Sequence, residues 1–300
     1  MKKYPFTFLF VCCCAGLLGA CRTVRLQGPE VPPVEAKPRL QQVKQAFSVK
    51  NISSNSLPAV LGGLVKSDNW IIYKDKQQEE FTGHVSYEND TYTFRADYAL
   101  SDRARHTFSA RGQVFLRQQN QDGSFYEAYA HKVRYNYQTQ KADMSGKKNA
   151  PVKLVYHTSK GQTLTATAQK ASFDLNQKIY ILQKDVHIQR PTGQDLQTLT
   201  AQKATLKQIE QYVLLEGNAT VADGQRTLRA ETIIYDGQNN TSYAQGNRVL
   251  ASGRTEQGTF AIIADKVQSD NAGNKIHLNG QVQGWLVSPQ INSSKINNKF

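Results

Sequence analysis

The sequence predicts an all-β domain built as a repetitive antiparallel sheet, and three observations predict it. Apolar and polar residues alternate with period two, as in Thr163-Leu164-Thr165-Ala166-Thr167-Ala168 and around Ile276, Leu278 and Val282, which puts the apolar side chains on one sheet face. Turn chemistry punctuates the chain at Asn89-Asp90, Gln121-Asp122-Gly123, Asp223-Gly224, Asp236-Gly237, Gln238-Asn239-Asn240 and Asn271-Ala272-Gly273. A short glycine-centred segment also recurs along the chain. Between Trp70 and about Val287 no stretch carries the pattern of a long helix.

The recurring segment is Gly83-His84-Val85, then Gly112-Gln113-Val114, Gly217-Asn218-Ala219, Gly246-Asn247-Arg248 and Gly280-Gln281-Val282. The spacings are 112 − 83 = 29, 246 − 217 = 29 and 280 − 246 = 34. Gly146 falls between, and Lys184-Asp185-Val186 occupies the next expected place with the glycine lost. Thr163-Leu164, Thr198-Leu199, Thr227-Leu228 and Thr259-Phe260 each begin a strand, with alanines following at Ala166, Ala201 and Ala230. Each unit therefore reads strand, turn, strand, glycine, strand. Glycine inside a strand marks a bulge or bend. Repeats of this length mean a stacked array in which each unit buries its face against its neighbours.

The ends read differently. Lys2 and Lys3 precede an apolar run from Phe6 to Leu18, then Gly19-Ala20-Cys21. This is the layout of a secretory signal, and the apolar run falls short of the roughly 20 residues that span a bilayer. Cys12, Cys13 and Cys14 lie inside that signal and no cysteine follows Cys21, so the mature chain has no internal disulfide. Gly28-Pro29-Glu30-Val31-Pro32-Pro33 cannot pack as a helix or central strand. Leu40, Val43 and Phe47 have the spacing of a short amphipathic helix. The expected organisation is a signal over 1–20, a flexible tether over 21–66, a β domain over 67–288 and a polar tail over 289–300.

The formal net charge is +13; loss of Lys2 and Lys3 with the signal leaves 13 − 2 = 11. Such a surface attracts acidic lipid head groups, acidic glycans or nucleic acid, and export disfavours the last. Enzyme signatures are missing. The six histidines, at 84, 106, 131, 157, 187 and 277, are scattered. There is no His-Glu-x-x-His and no Gly-x-Ser-x-Gly. Gly62-Gly63-Leu64-Val65-Lys66-Ser67 lacks the spacing of a phosphate-binding loop. Glu79-Glu80 is the one carboxylate pair and reads as a solvated strand end. The sequence thus predicts a protein with no catalytic residues, cofactor or metal.

Two resemblances add to this reading. Leu18-Gly19-Ala20-Cys21 resembles the lipobox of bacterial lipoproteins, which implies lipidation of Cys21 and membrane attachment; an ordinary cleaved signal is the alternative. Phe81-Thr82-Gly83-His84-Val85 running into Phe94-Arg95-Ala96-Asp97-Tyr98-Ala99, Thr198-Leu199-Thr200-Ala201 to Gly217-Asn218, and Thr227-Leu228-Arg229-Ala230 to Gly246-Asn247 resemble the OstA-like family. That family includes the lipopolysaccharide-transport proteins LptA and LptC and the N-terminal domain of LptD. The resemblance spans roughly residues 68–287. It implies a twisted β-jelly roll with an open apolar groove that holds lipopolysaccharide acyl chains and stacks end to end with other jelly-roll transport proteins through edge strands. It also implies a periplasmic location, with the anchor in the inner or the outer membrane. The chain departs from the pattern in carrying a lipobox and in its length.

The stripe expected to face inward comprises Leu164, Ala166, Leu182, Val186, Ile188, Leu199, Ala201, Leu228, Ala230, Phe260, Ile262, Leu278 and Val282, with Ala168, Ala264 and Ile276 in the same alternation. Either a lipid groove or a dry sandwich core satisfies the periodicity, so a structural envelope scaffold without lipid cargo is the second reading. The strands near Trp70–Tyr73 and Lys275–Trp285 are the expected edges, open to strand addition.

Overall fold

A computed structural model of the chain describes residues 63–192, 195–239, 241–255, 258–270 and 275–287. The expected signal, Cys21, nearly all of the tether and the polar tail lie outside the described residues. Every described strand belongs to one 18-stranded sheet, and every pairing is antiparallel.

The first strands are β1 (Leu64–Lys66) and β2 (Asn69–Tyr73), which pair with the two ends of β3 (Gln78–Glu88). β1 lies in the stretch read from sequence as tether. It carries one alternating residue, Val65, opposite Tyr87, too little for a period to register. A meander follows through β4 (Tyr92–Asp102), β5 (Thr107–Gln119) and β6 (Phe125–Asn136). Two interrupted strands come next. β7 (Lys141–Ser145) and β8 (Val152–His157) pair in tandem with β6, while β9 (Thr163–Ala168) and β10 (Lys170–Asp174) pair in tandem with β11 (Ile179–Thr192). β7 pairs with β10 and β8 with β9, joining the two halves of the meander. The chain then runs on through β12 (Asp195–Lys207), β13 (Tyr212–Ala222), β14 (Arg226–Asp236), β15 (Thr241–Thr255) and β16 (Gly258–Asp270). It ends with β17 (Ile276–Asn279) and β18 (Gln283–Val287), both on β16.

Each long strand bends at its middle, and the glycine repeat makes the bend. Gly83-His84, Gly112-Gln113, Gly217-Asn218 and Gly280-Gln281 all have positive φ at both residues, so two residues oppose one on the next strand and the register shifts. Two consecutive left-handed residues kink the chain sharply. At Gly112 (φ +75) a Cβ would stand 2.1 Å from Asp97 Oδ2, so only glycine fits there. Lys184-Asp185 makes the same kink without glycine, at φ 65 and 54.

The bend divides the sheet into two arms. Arm A ends in the turns Lys74–Gln77, Arg103–His106, Tyr137–Gln140, Leu175–Lys178 and Gln208–Gln211, and arm B in Asn89–Thr91, Asn120–Ser124, Thr158–Gln162 and Asp223–Gln225. Four arm A turns repeat one device. The residue before the turn accepts a backbone N–H three residues on: Asp102 from Arg105 at 2.9 Å, Asn136 from Thr139 at 2.8 Å, Asp174 from Gln177 at 2.9 Å and Asp236 from Asn239 at 3.1 Å. The hydrogen bond from Gln177, together with Lys141 at 3.3 Å, holds the Asp174 carboxyl below its ordinary value against partial burial.

Candidate functional site: the apolar interior

The inner faces of the two arms form continuous apolar rows that cross the whole sheet. In arm A, beside the bend, one row of directly paired residues runs Phe81, Ala99, Ala110, Val133, Met144, Ala171, Leu182, Ala204, Leu215, Ile233, Ala244, Val267 and Leu278. In arm B a matching row runs Phe94, Leu116, Ala128, Leu154, Ala166, Ile188, Leu199, Val221, Leu228, Ala251 and Ile262. At the bend itself, pairs of one design recur: Val85 with Ala96, Val114 with Ala130, Val152 with Ala168, Val186 with Ala201, Ala219 with Ala230 and Val249 with Ala264. The small partner on each return strand lets the two arms close on one another.

Most of the residues read from the sequence come together here. Val186, Ala201 and Ala230 lie at the bend; Ala166, Ile188, Leu199, Leu228 and Ile262 lie in the arm B row; Leu182 and Leu278 lie in the arm A row. Leu164 and Phe260 stand nearer the mouth of arm B, Leu164 beside Tyr156 and Tyr126 in a buried cluster. Burial varies along the sheet. Leu164, Ala166, Leu182, Val186, Ile188, Ala201 and Ala230 are buried, while Leu199, Leu228, Phe260, Ile262 and Leu278 are half-buried. Val282, expected to face inward, is 48% exposed. It follows the last bulge, Gly280-Gln281, and among the described residues no further strand covers it.

The alternation overlooked more interior residues than it found, and the bend is the reason. On return strands the inward positions step by three residues across the bend, as in Ala96 to Ala99 and Ala201 to Ala204. On bulged strands they step by four, as in Ala110 to Val114 and Leu215 to Ala219. A strict period of two loses register there. The usable signal is the quartet Ala96-Asp97-Tyr98-Ala99, which recurs as Ala, two polar residues and an apolar one at 130–133, 168–171, 201–204, 230–233 and 264–267.

One buried core cluster draws residues from both arms, Met144, Phe173, Tyr180 and Leu206 from arm A and Val152, Leu154, Ile188 and Val249 from arm B. No strand pairing among the described residues links the arms across the mouth; side chains alone hold them there. Arg190, on the inner face of arm B, donates from Nε to Gln197 Oε1 at 2.7 Å. Burial pushes its guanidinium down to about 10, and the Tyr235 phenol of arm A is near enough to influence it. Two shallow depressions, of about 140 and 250 Å³, lie at the bend around Asp185 to Asn218 and at the arm A turn around Ile72 to Arg103; neither opens the interior.

At both ends of the sheet apolar side chains stand in solvent: Leu64, Trp70 and Ile72 at the first strands, and Ile276, Trp285, Leu286 and Val287 at the last. The histidines are dispersed over the bend, turns and outer faces. Among the described residues no three His, Cys, Asp or Glu side chains are placed to hold a metal ion, and no helix is long and apolar enough to cross a membrane.

A family profile described as LptA/(LptD N-terminal domain) LPS transport protein matches residues 64–165 and 192–241, about half of the 300 residues. The unmatched interval between them contains the glycine-free bulge Lys184-Asp185. Among solved structures the chain is similar to LptH, the LptA-homologous periplasmic component of the lipopolysaccharide transport device from Pseudomonas aeruginosa. The identity is 14%, over 44% of this chain and 85% of that one, with a TM-score of 0.33. No curated protein matches the chain.

Proposed function

The chain belongs to the family of LptA and LptD N-terminal-domain lipopolysaccharide transport proteins, and from that membership we propose that its interior holds lipopolysaccharide acyl chains during passive transport towards the outer membrane. The observation that carries the reading is the pair of apolar rows running unbroken across the sheet. A lipid chain leaving a bilayer for water loses about 0.8 kcal/mol per exposed CH₂, and an apolar interior offsets most of that. Such a sheet carries lipid without driving it, so the energy comes from another protein.

The exposed apolar residues at both ends, and the edges of β1, β2, β17 and β18 that no strand among the described residues pairs, support strand addition by other jelly-roll transport proteins. The proposal places the protein in the periplasm, attached through lipid on Cys21, with either membrane as host.

A specific observation favours the second reading, a dry structural scaffold: Ala219, Val249 and Ala264 are fully buried, so the arms must part to admit a chain. Crosslinking in living cells separates the two. A photoreactive residue at Leu199 or Leu228, on the inner face, is expected to capture lipopolysaccharide, and one at Arg229, on the outer face, is not. Capture at neither site while lipopolysaccharide production is normal would sink the lipid reading and leave the scaffold.

A further inference from the structure

The outer side of the bend carries a charge pattern that the interior does not explain. On return strands the residue after the bend apex is a lysine in four of the repeats: Lys132, Lys170, Lys203 and Lys266. Register aligns them in one outer row of arm A. Arg111 lies directly opposite Lys132, Lys132 opposite Ser145, and Ser145 opposite Lys170. Like charges placed directly opposite on neighbouring strands are unfavourable. The gap between β7 and β8 adds to the same region a small exposed loop, closed by hydrogen bonds of 2.8 and 3.0 Å between Lys147 and Ala150, which presents Lys147 and Lys148. Gly146 N–H bonds Gln169 at 3.0 Å and Gln169 N–H bonds Lys184 at 3.0 Å, which brings Lys184 alongside.

All six cations, Arg111, Lys132, Lys147, Lys148, Lys170 and Lys184, are exposed, and among the described residues none has a carboxylate within ion-pair distance. Lysines just outside the group do, Lys203 with Glu216 at 2.7 Å and Lys141 with Asp174 at 3.3 Å. The local field is positive enough to reach His131, whose imidazole is lowered by partial burial and then by Lys147 and Lys132.

We propose that this outer side of the bend is a docking surface for an anionic phospholipid membrane. The cations span five adjacent strands, about 20 Å at about 4.8 Å per strand. Five of the six are lysines, compact charges on flexible stems, not forked guanidinium clamps for a single phosphate. Tyr98, opposite Arg111 in the row, is half-buried and covered by the Arg111 guanidinium 4.2 Å from its ring centroid. Among the described residues no exposed aromatic or aliphatic side chain stands in the row to form the desolvated centre that a protein interface needs. A surface of that kind responds to the density of negative charge, as a layer of acidic head groups presents it. The proposal is independent of what the interior holds, because it concerns the opposite face of the sheet.

The test is vesicle co-sedimentation of the full-length chain carrying Cys21→Ser, so that no acyl chain contributes. Vesicles of phosphatidylcholine alone are compared with vesicles containing phosphatidylglycerol, at low and high salt. Each cation near an acidic surface contributes roughly a fivefold factor in partitioning. The expected preference for the acidic vesicles is at least about tenfold and is lost in high salt. K132E/K147E/K148E/K170E is expected to abolish it, while K74E/K76E/R229E/R254E, an equal charge change elsewhere, loses at most about threefold. The loop variant K147E/K148E gives the same sign if the fourfold variant does not fold. Absence of any preference, or equal loss in both fourfold variants, overturns the proposal. So does unchanged vesicle binding with lost binding to polyglutamate, which would assign the surface to an acidic protein.

Discussion

Val249 and Val282 occupy the same place in successive repeats, just beyond a bulge and facing inward, yet the first is fully buried and the second is half in solvent. Their local sequences do not account for this. Val249 has strands on both sides, β14 and β16; Val282 has the last described strand's free edge. Burial in this sheet is supplied by neighbours, one strand on each side, and an equivalent side chain at the end is left partly unserved. Among the described residues the last repeat is thus complete in pattern and incomplete in environment.

Equivalent positions with unequal surroundings give experiments that could break this comparison. The largest effect is expected in the arm A row. Leu215→Ala should cost about 3 kcal/mol, as a buried leucine does, and Leu278→Ala at the sheet's end no more than about 1 kcal/mol. Denaturant unfolding measures both, and equal losses would show that the end is as well packed as the middle.

The bend offers a smaller contrast with opposite signs. Gly112→Ala should destabilise by about 2 kcal/mol, because the left-handed backbone and the approach to Asp97 both oppose a side chain. Lys184→Gly should stabilise by about 1 kcal/mol, since lysine there bears the left-handed conformation without glycine's freedom. Thermal melts of the two variants should move in opposite directions. A destabilised Lys184→Gly would mean that the lysine's own contacts outweigh backbone strain.

The smallest effect concerns the arm A turns, where Asp174 and Asn136 do the same work. The Asp174 carboxyl is held low, so its contribution is present at neutral pH. It is lost as pH falls from the ordinary carboxylate value through the lowered one. Asp174→Asn should make stability less sensitive to acid over that range while keeping the turn, as Asn136 keeps its own. An unchanged acid profile would show that other carboxylates control it.

How far the sequence reached follows from the same geometry. The all-β class, the antiparallel pairing, the turns at Asn89-Asp90, Gln121-Asp122-Gly123, Asp223-Gly224 and Asp236-Gly237, and the bulges at Gly83, Gly112, Gly217, Gly246, Gly280 and Lys184-Asp185 were readable, because each depends on a short local signal. The turns at Lys74–Gln77, Arg103–His106, Tyr137–Gln140, Thr158–Gln162, Leu175–Lys178 and Gln208–Gln211 lack an Asn-Gly or Asp-Gly pair, and Gly146 marks the break between β7 and β8 rather than a bulge. The inward residues were readable only within one arm at a time. Leu164, Ala166 and Ala168 keep their parity up to Gln169, and Ala171 and Phe173 then take the opposite one. That phase slip is a property of the corner, where one polar residue turns outward, and no windowed alternation can see it. The exposure of Val282 has a different reason: sequence pattern specifies which way a side chain points and says nothing of whether anything stands opposite.

The register also governs how the structure can form. Once β1 with β2, β7 with β8, β9 with β10 and β17 with β18 are each taken as single interrupted strands, every described pairing joins a strand to the one just before or just after it in the chain. Contacts are therefore made over roughly one hairpin's length, the condition under which loop-closure entropy slows folding least. The sheet can grow by adding one hairpin to the last, from whichever part of the chain is free first, and residue 64 never has to wait for residue 287.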